Sequence, residues 1–95
     1  MWYNETMSYY AYLVRCADGS YYAGFTNDLN RRIRTHNEGK GAKYTRSRLP
    51  VELVYYETFP DQHGARSREW HLKRLTHGEK AALARGTQHE EEKES

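Results

Sequence analysis

The chain has 95 residues, of which 37% are hydrophobic, and its formal net charge is only +2. A chain of this length is expected to fold as one domain, and no run approaches the ~20 apolar residues that a membrane-spanning helix needs. Cys16 is the only cysteine, which excludes an intrachain disulfide and a thiolate zinc cluster and favours a reduced, cytoplasmic setting.

The charges are distributed unevenly. Residues 1–85 hold 14 Lys and Arg against 9 Asp and Glu, whereas residues 86–95 hold four glutamates and one lysine. The acidic end has no apolar residue to anchor it, so residues 86–95 are predicted to be a disordered tail. The basic remainder weakly favours an anionic partner, and no membrane association is expected.

The first half of the chain predicts a tail over residues 1–7, then a β-hairpin and a helix. The runs "YYAYLVRC" and "YYAGFT" are rich in aromatic residues, which favour strands, and they flank the turn "ADGS". Asn27 is predicted to cap the helix "DLNRRIRTHNE", which is expected to end at Gly39.

The hairpin register decides whether two tyrosines can cooperate. A two-residue turn would place Tyr12 and Tyr22 on opposite faces of the sheet. A three-residue loop over residues 17–19 would instead pair Tyr12 with Gly24 and make the two tyrosines diagonal neighbours on one face. Gly19 suits the left-handed conformation that such a loop requires, so the three-residue loop is predicted.

The second half predicts a basic loop, a strand and two helices. The loop is "GKGAKYTRSRLP" and the strand is "VELVYYETF". One helix is expected from Pro60–Asp61 to about Leu75, and Thr76 is expected to cap a short last helix that stops before Gly86. The order ββα-β-αα over residues 8–85 predicts a small α/β domain, in which helices flank a three-stranded, mostly antiparallel sheet.

Three polar residues on the two longer predicted helices have suggestive positions. Arg32 and His36 are four residues apart, which places them on one face of the first helix. Glu69 falls on the apolar stripe that Ala65 and Leu72 define in the second helix. An inward carboxylate is costly unless it has a partner such as a cation or a metal ion.

These positions resemble a stand-alone GIY-YIG nuclease domain of the small bacterial type, over roughly residues 8–85. Residues 10–12, "YAY", stand where the family has Gly-Ile-Tyr and keep only Tyr12, and residues 22–24, "YAG", keep both outer residues of Tyr-Ile-Gly. The family's later arginine, its Tyr-or-His position and its glutamate fall on Arg32, His36 and Glu69. The family's asparagine, about a dozen residues past the glutamate, has no counterpart near Ala81.

The resemblance implies a catalytic site of Tyr12, Tyr22, Arg32, His36 and Glu69. Glu69 would hold one Mg²⁺ or Mn²⁺ together with waters and phosphate oxygens, and Arg32 would grip the scissile phosphate. A free tyrosine has a pKa near 10 and is a poor base at neutral pH, whereas histidine titrates near 6.5. The base role is therefore assigned jointly to the tyrosines and His36.

Each residue also has an ordinary structural explanation. The tyrosines could be plain strand residues, Arg32 a solvated charge and His36 a surface residue near a helix C-terminus. Glu69 could simply pair with Lys73 one turn later. It is the joint spacing that favours a site.

The basic loop interleaves cations with an aromatic ring, which suits DNA backbone contacts and base stacking. A solvated, flexible loop is the alternative. The candidate nucleic-acid-binding residues of the loop are Lys40, Lys43, Tyr44, Arg46 and Arg48. Arg66, Arg68 and Arg74 could extend this face, and Trp70 is expected in the core or at its rim.

The leading hypothesis is a metal-dependent DNA endonuclease that cuts one strand per active site and is structure-selective or weakly specific. A monomer is expected, with a separate protein partner as one source of specificity. The alternatives are a nucleic-acid-binding module with weak or no catalysis, motivated by the missing asparagine, and a protein-interaction domain, motivated by the low net charge.

Overall fold

The computed structural model describes the backbone of residues 8–94 and the side chains of residues 8–86. Within these residues the elements follow the order β1 (Tyr9–Arg15), β2 (Tyr21–Thr26), α1 (Leu29–Asn37), α2 (Lys43–Arg46), β3 (Glu52–Phe59), α3 (Gln62–Lys73) and α4 (His77–Glu94). The predicted α/β class is confirmed, and the predicted tail over residues 1–7 lies outside the described part. No described helix combines the length and apolar character needed to cross a membrane.

The sheet has the strand order β2-β1-β3, and both strand pairs are antiparallel. Tyr12 pairs with Gly24 and Val14 pairs with Tyr22, which confirms the three-residue hairpin loop. Gly19 adopts the left-handed conformation at φ +86°, which this loop requires at its last position. The two tyrosines therefore lie on the same face of the sheet.

The two faces of the sheet carry separate apolar clusters. On one face Ala11, Leu13 and Ala23 pack against Leu72 of α3. The cluster on the other face lies on the side of α1 and contains Tyr12, Val14, Cys16 and Val51, with Leu29 and Ile33 packed against it. Fully burying a leucine such as Leu13 or Leu72 contributes about 1.5–3 kcal/mol to stability.

Helix α3 runs along β2 in the opposite direction. Arg66, early in α3, lies over Phe25 near the end of β2, whereas Lys73, at the end of α3, lies over Tyr22. Because β2 is an edge strand, α1 on one face and α3 on the other both reach the same edge of the sheet. This edge is where the candidate site forms.

The helix caps differ in one place from the prediction. Asp28, not Asn27, is the N-cap of α1, and its carboxylate accepts a hydrogen bond from the Arg31 backbone N–H. The reason is local: the Thr26 hydroxyl accepts the Asp28 N–H, which holds the chain extended for one residue longer than expected. Thr76 caps α4 as predicted, in a reciprocal capping box with Glu79.

The basic loop is not wholly irregular. Residues 43–46 form the short helix α2, and Thr45 within it is fully buried. The Thr45 N–H donates to the Ala42 carbonyl, and so does the Thr45 hydroxyl. The burial of Thr45 anchors a segment whose polar composition is typical of a solvated loop.

The last helix is longer than predicted. Its backbone remains helical from His77 to Glu94 and passes through Gly86, where the sequence predicted a stop. A single glycine in an exposed helix costs only about 1 kcal/mol relative to alanine, so it need not end the helix. The side chains from residue 87 onward, which belong to the predicted disordered tail, lie outside the described part.

Candidate active site

A chain of buried polar groups connects β1 to α1 and α2. The Tyr12 phenol oxygen lies 3.0 Å from Nε2 of His36, and Nδ1 of His36 lies 3.0 Å from the Thr45 hydroxyl. All three side chains are fully buried. Buried polar groups must be paired, and no buried side-chain nitrogen or oxygen of the described residues is left without a partner.

The Thr45 hydroxyl, the last group in this series of hydrogen bonds, fixes the direction of the others. The Thr45 hydroxyl donates its proton to the Ala42 carbonyl at 2.9 Å, so it accepts from His36 Nδ1–H. A neutral imidazole with its proton on Nδ1 has a lone pair on Nε2. The Tyr12 phenol therefore donates to His36 Nε2.

Arg32 lies one helical turn before His36 in α1 and adds a further hydrogen bond to this series. Its Nε–H donates to the Tyr12 oxygen at 3.3 Å, so the same phenol oxygen accepts from a guanidinium while it donates to an imidazole. The remaining nitrogens of the guanidinium fork make no hydrogen bond or ion pair among the described residues. They are available for a phosphate.

Burial and charge set the protonation states. Burial, together with the nearby Arg32 charge, lowers the pKa of His36 from 6.5 to about 4, so the imidazole is neutral at pH 7. Burial raises the pKa of Tyr12, although the hydrogen bond and charge of Arg32 act in the opposite direction. The resting site thus holds a neutral phenol beside a neutral imidazole.

Tyr22 packs against the same histidine. The Tyr22 and His36 rings lie 5.5 Å apart between centroids in an edge-to-face arrangement. On its other side Tyr22 stacks with Tyr44, with centroids 6.0 Å apart, and the Arg48 guanidinium lies 3.9 Å from the centre of the Tyr44 ring. Tyr22 is therefore held in place by α1 and by α2.

Two glycines make room for the chain of hydrogen bonds. A Cβ added to Gly24 would lie 2.4 Å from the Tyr12 phenol oxygen, and one added to Gly41 would lie 2.3 Å from His36 Nδ1. Neither ring can retreat easily, because each is fully buried. The requirement at Gly24 gives a physical reason for the glycine that ends "YAG".

Glu69 reaches this edge of the sheet from α3. Its side chain is 19% exposed, and its carboxylate lies 3.3 Å from the Lys73 Nζ. The ammonium of Lys73 in turn lies 5.8 Å from the centre of the Tyr22 ring. The carboxylate is also close enough to Tyr12 to contribute, as a smaller effect after burial, to the raised pKa of that phenol.

The donor set bears on whether a divalent cation fits. Among the described residues there is no cluster of three or more His, Cys, Asp or Glu side chains suited to a metal. A lone carboxylate does fit Mg²⁺ or Mn²⁺ when water and phosphate oxygens supply the other ligands. It does not fit a closed, all-protein metal cage, and the cation would have to compete with Lys73 for Glu69.

The structure thus brings together all five residues predicted for the catalytic site, linked by the contacts given above. The predicted DNA-binding residues of the loop divide into two groups. Lys40, Lys43 and Arg46 are exposed, whereas Tyr44 and Arg48 make contacts within the fold, Tyr44 by stacking with Tyr22. Arg48 is bound to Asp18 at 3.0 Å and to the Tyr44 carbonyl at 2.7 Å, so its first role here is structural.

Sequence reasoning missed Thr45, Gly41 and Trp70. Thr45 and Gly41 lie in a polar loop, where no periodic pattern marks a residue as buried, so a single sequence offers no signal for them. Trp70 was expected in the core or at its rim, yet it is 55% exposed. Its spacing of four residues from both Arg66 and Arg74 is the pattern that could have placed it on the solvent face.

Comparison with known proteins identifies the family. Residues 8–81 match the model of the GIY-YIG catalytic domain. The fold and the clustered residues define a domain of this class, and the chain belongs to the GIY-YIG catalytic-domain family.

The particular relatives are small proteins of similar length. The chain is 58% identical over 71 residues to a UPF0213 protein of Lacticaseibacillus paracasei, which covers 75% of this chain and 80% of the relative. It is 50% identical over 76 residues to the UPF0213 protein YazA of Bacillus subtilis, covering 80% and 77%. The solution NMR structure of the protein EF2693 from E. faecalis has a TM-score of 0.55 at 37% identity, covering 85% of this chain and 86% of that one.

Proposed function

We propose that the chain is a metal-dependent DNA endonuclease that hydrolyses a phosphodiester bond in one strand per active site. The observation that carries this proposal is the buried relay from Arg32 through Tyr12 to His36, with Glu69 at the same sheet edge. It combines a phosphate-binding guanidinium with a route for a proton, and hydrolysis of a phosphodiester needs both.

Arg32 has two tasks in this account. Its guanidinium grips the scissile phosphate, for which the planar fork of donors is well suited. Because its Nε–H now occupies the fully buried Tyr12 oxygen, drawing Arg32 toward a phosphate frees that oxygen to accept a hydrogen bond from water. Substrate binding and activation of the nucleophile are then linked through one side chain.

The proton moves along bonds already oriented for it. A water gives a proton to the Tyr12 oxygen while the phenol proton passes to His36 Nε2. The resulting hydroxide attacks phosphorus, and the P–O bond to the departing strand breaks. The departing oxygen leaves with the bonding electron pair and takes up a proton from solvent water. A tyrosinate is never required as a free species. The low pKa of His36 keeps its Nε2 unprotonated at neutral pH but makes it a weak base, and drawing the Arg32 charge toward a phosphate would remove one of the two causes of that low pKa. Thr45 holds the imidazole in the required tautomer.

Tyr22 and Glu69 complete the site. Tyr22, fixed between His36 and Tyr44, is placed to orient the water or the phosphate. Glu69 would hold the single Mg²⁺ or Mn²⁺. When bound, such an ion supplies charge neutralisation for the phosphate and the departing oxygen. Lys40, Lys43 and Arg46 would contact the DNA backbone beside the site, so affinity should fall steeply with added salt.

A DNA-binding module with little catalysis is the second candidate. Two observations favour it: Lys73 already pairs with the proposed metal ligand, and the position near Ala81 lacks the asparagine of the family pattern. Retained DNA binding without cutting would support this reading.

A plasmid-nicking assay distinguishes the endonuclease from the DNA-binding module. With Mg²⁺ the wild-type chain is expected to convert supercoiled DNA to the open-circular form, and EDTA is expected to stop it. Glu69→Ala should lose cutting. Glu52→Ala should not, because Glu52 lies on β3 and, among the described residues, its carboxylate pairs only with the exposed Arg15. Cutting that survives both EDTA and Glu69→Ala would refute the metal-dependent mechanism.

A further inference from the structure

The solvent face of α3, continued by its C-cap residue Arg74, carries an aromatic residue between two arginines. Arg66, Trp70 and Arg74 are spaced four residues apart, so they form one stripe about 12 Å long. Trp70 is 55% exposed, and the Arg74 guanidinium lies 4.4 Å from the centre of its ring. We call these three residues the α3 stripe.

The α3 stripe borders a groove. The groove has a volume of about 530 Å³ and is lined by Gln62, His63, Arg66, Ser67 and Trp70. This volume lies within the range of ordinary small-ligand sites, so it can hold a nucleobase. The Trp70 ring is thus flanked by a cation and opens onto a cavity large enough for a second ring.

The charges around the groove favour a polyanion. Arg68 and Lys73, the other cations of α3 besides its histidines, are bound to Glu57 and Glu69. Arg66 and Arg74 have no carboxylate partner among the described residues. An exposed tryptophan between two uncompensated arginines matches the combination of base stacking and backbone contact that single-stranded nucleic acids use.

The α3 stripe is also well placed with respect to the site. Trp70 directly follows Glu69, so its Cα lies about one-third of a turn around the same helix. Tyr44, the aromatic residue of the basic loop, already stacks with Tyr22 and has Arg48 over its ring. Trp70 is more exposed than Tyr44, at 55% against 39%, and it lines the groove.

From these observations we propose that the α3 stripe binds an unpaired segment of the DNA substrate, with one base stacked on Trp70 and phosphates held by Arg66 and Arg74. This inference rests on the proposed function and sharpens it. The preferred substrate would be DNA with a single-stranded region next to the scissile bond, such as a flap or a gap, rather than a blunt duplex.

Fluorescence anisotropy in EDTA tests the proposal without any cutting. The probes are a 5′-labelled 12-nucleotide single strand and the blunt duplex that it forms with its complement. Trp70→Ala is expected to weaken single-strand binding between about 5-fold and 100-fold, since stacking contributes that much per base. Binding of the duplex should change by less than about 2-fold.

Matched variants define what the tryptophan contributes. Trp70→Phe should retain single-strand affinity within about 3-fold, because it keeps a stacking ring. The double variant Arg66→Ala/Arg74→Ala should reduce the salt dependence of single-strand binding by about 1.4 in the slope of log affinity against log salt. Tyr56→Ala and Arg34→Ala, which remove an exposed ring and an exposed charge elsewhere, should leave single-strand binding unchanged.

The outcomes are separable from those of the nuclease assay. If the wild-type chain does not cut plasmid but Trp70→Ala selectively loses single-strand binding, the nuclease proposal fails and the α3 stripe stands. If the wild-type chain cuts but Trp70→Ala binds the single strand as well as wild type, the α3 stripe is not a DNA site. Equal weakening for both probes, or no single-strand binding by the wild type, also overturns the inference.

Discussion

The Tyr12 phenol and His36 Nε2 are 3.0 Å apart, although 24 residues separate them in the chain. The contact exists because two independent features of the sequence converge. The three-residue hairpin loop places Tyr12 opposite Gly24, and the Asp28 cap starts α1 at a phase that turns His36 inward. Loss of either feature would separate the two groups.

Thr45→Val tests the assignment of the imidazole tautomer. The change keeps the shape but removes the hydroxyl that accepts His36 Nδ1–H, so a buried donor is left unpaired at a cost of about 1–3 kcal/mol. We expect cutting to fall by about 10-fold or more, because the imidazole loses its fixed orientation. Thr45→Ser, which retains the hydroxyl, should keep most of the activity.

If instead Thr45→Val is destabilised but cuts at the wild-type rate per folded molecule, Thr45 is a packing residue only. Thermal unfolding and single-turnover nicking, measured on the same preparations, distinguish the two cases.

Gly24→Ala tests the space beside Tyr12. The new Cβ would meet the phenol oxygen at 2.4 Å, and the buried ring cannot yield without breaking its bond to His36. Overpacking of this kind lowers the free energy of unfolding by about 1–3 kcal/mol. Activity should also be lost, because the hydrogen bond from Tyr12 to His36 is broken. The matched control is Gly78→Ala, where nothing lies within 4 Å and the helix should be unaffected or slightly stabilised. An active, fully stable Gly24→Ala variant would contradict the geometry.

The depressed pKa of His36 predicts a pH dependence of stability. At pH 7 the imidazole is mostly neutral in both the folded and the unfolded state and contributes little to the pH dependence. Between pH 6.5 and about 4 the unfolded chain binds a proton that the folded chain excludes, so stability falls as the pH is lowered. The full shift corresponds to roughly 3 kcal/mol.

Denaturant unfolding at pH 7 and pH 4.5 measures this effect, with His36→Gln as the reference. Both chains lose stability through their shared carboxylates, but the wild-type chain should lose more. An equal loss in both chains would show that His36 titrates normally in the folded state.

The ion pair between Glu69 and Lys73 predicts competition with the metal ion. Lys73→Gln removes the ammonium that lies 3.3 Å from the carboxylate. Because this pair is partly exposed, its contribution is at most about 1 kcal/mol, so the Mg²⁺ concentration for half-maximal cutting should fall by no more than about 5-fold. A Mg²⁺ titration of plasmid nicking gives the midpoint. A midpoint that rises would show that Lys73 assists metal or DNA binding instead.

The parts of the fold that follow local rules were predictable from the sequence. Gly19 set the hairpin loop, and the three strands and helices α1 and α3 lie close to their predicted bounds. The predicted N-cap of α1 was one residue too early, because Asn27 and Asp28 are both good N-cap residues and the choice between them depends on the Thr26 hydroxyl. Competing local preferences of similar energy cannot be ranked from sequence alone.

The candidate site, like the fold, has features that the sequence predicts and features that it does not. The spacing of Arg32 and His36 and the inward position of Glu69 could be read from helical periodicity. The buried Thr45 could not, because its burial results from α2 packing against α1 and has no local pattern. The exposure of Trp70 depends on which face of α3 covers β2, which is a tertiary property.

The most direct test of the account is the single-turnover rate of plasmid nicking by Tyr12→Phe. This variant keeps the ring but removes the oxygen that joins Arg32 to His36, so the rate is expected to fall by about 100-fold or more. Tyr56→Phe, which changes an exposed ring on β3, should cut like the wild type. A folded Tyr12→Phe variant that nicks at the wild-type rate would contradict the central claim that this phenol carries the proton.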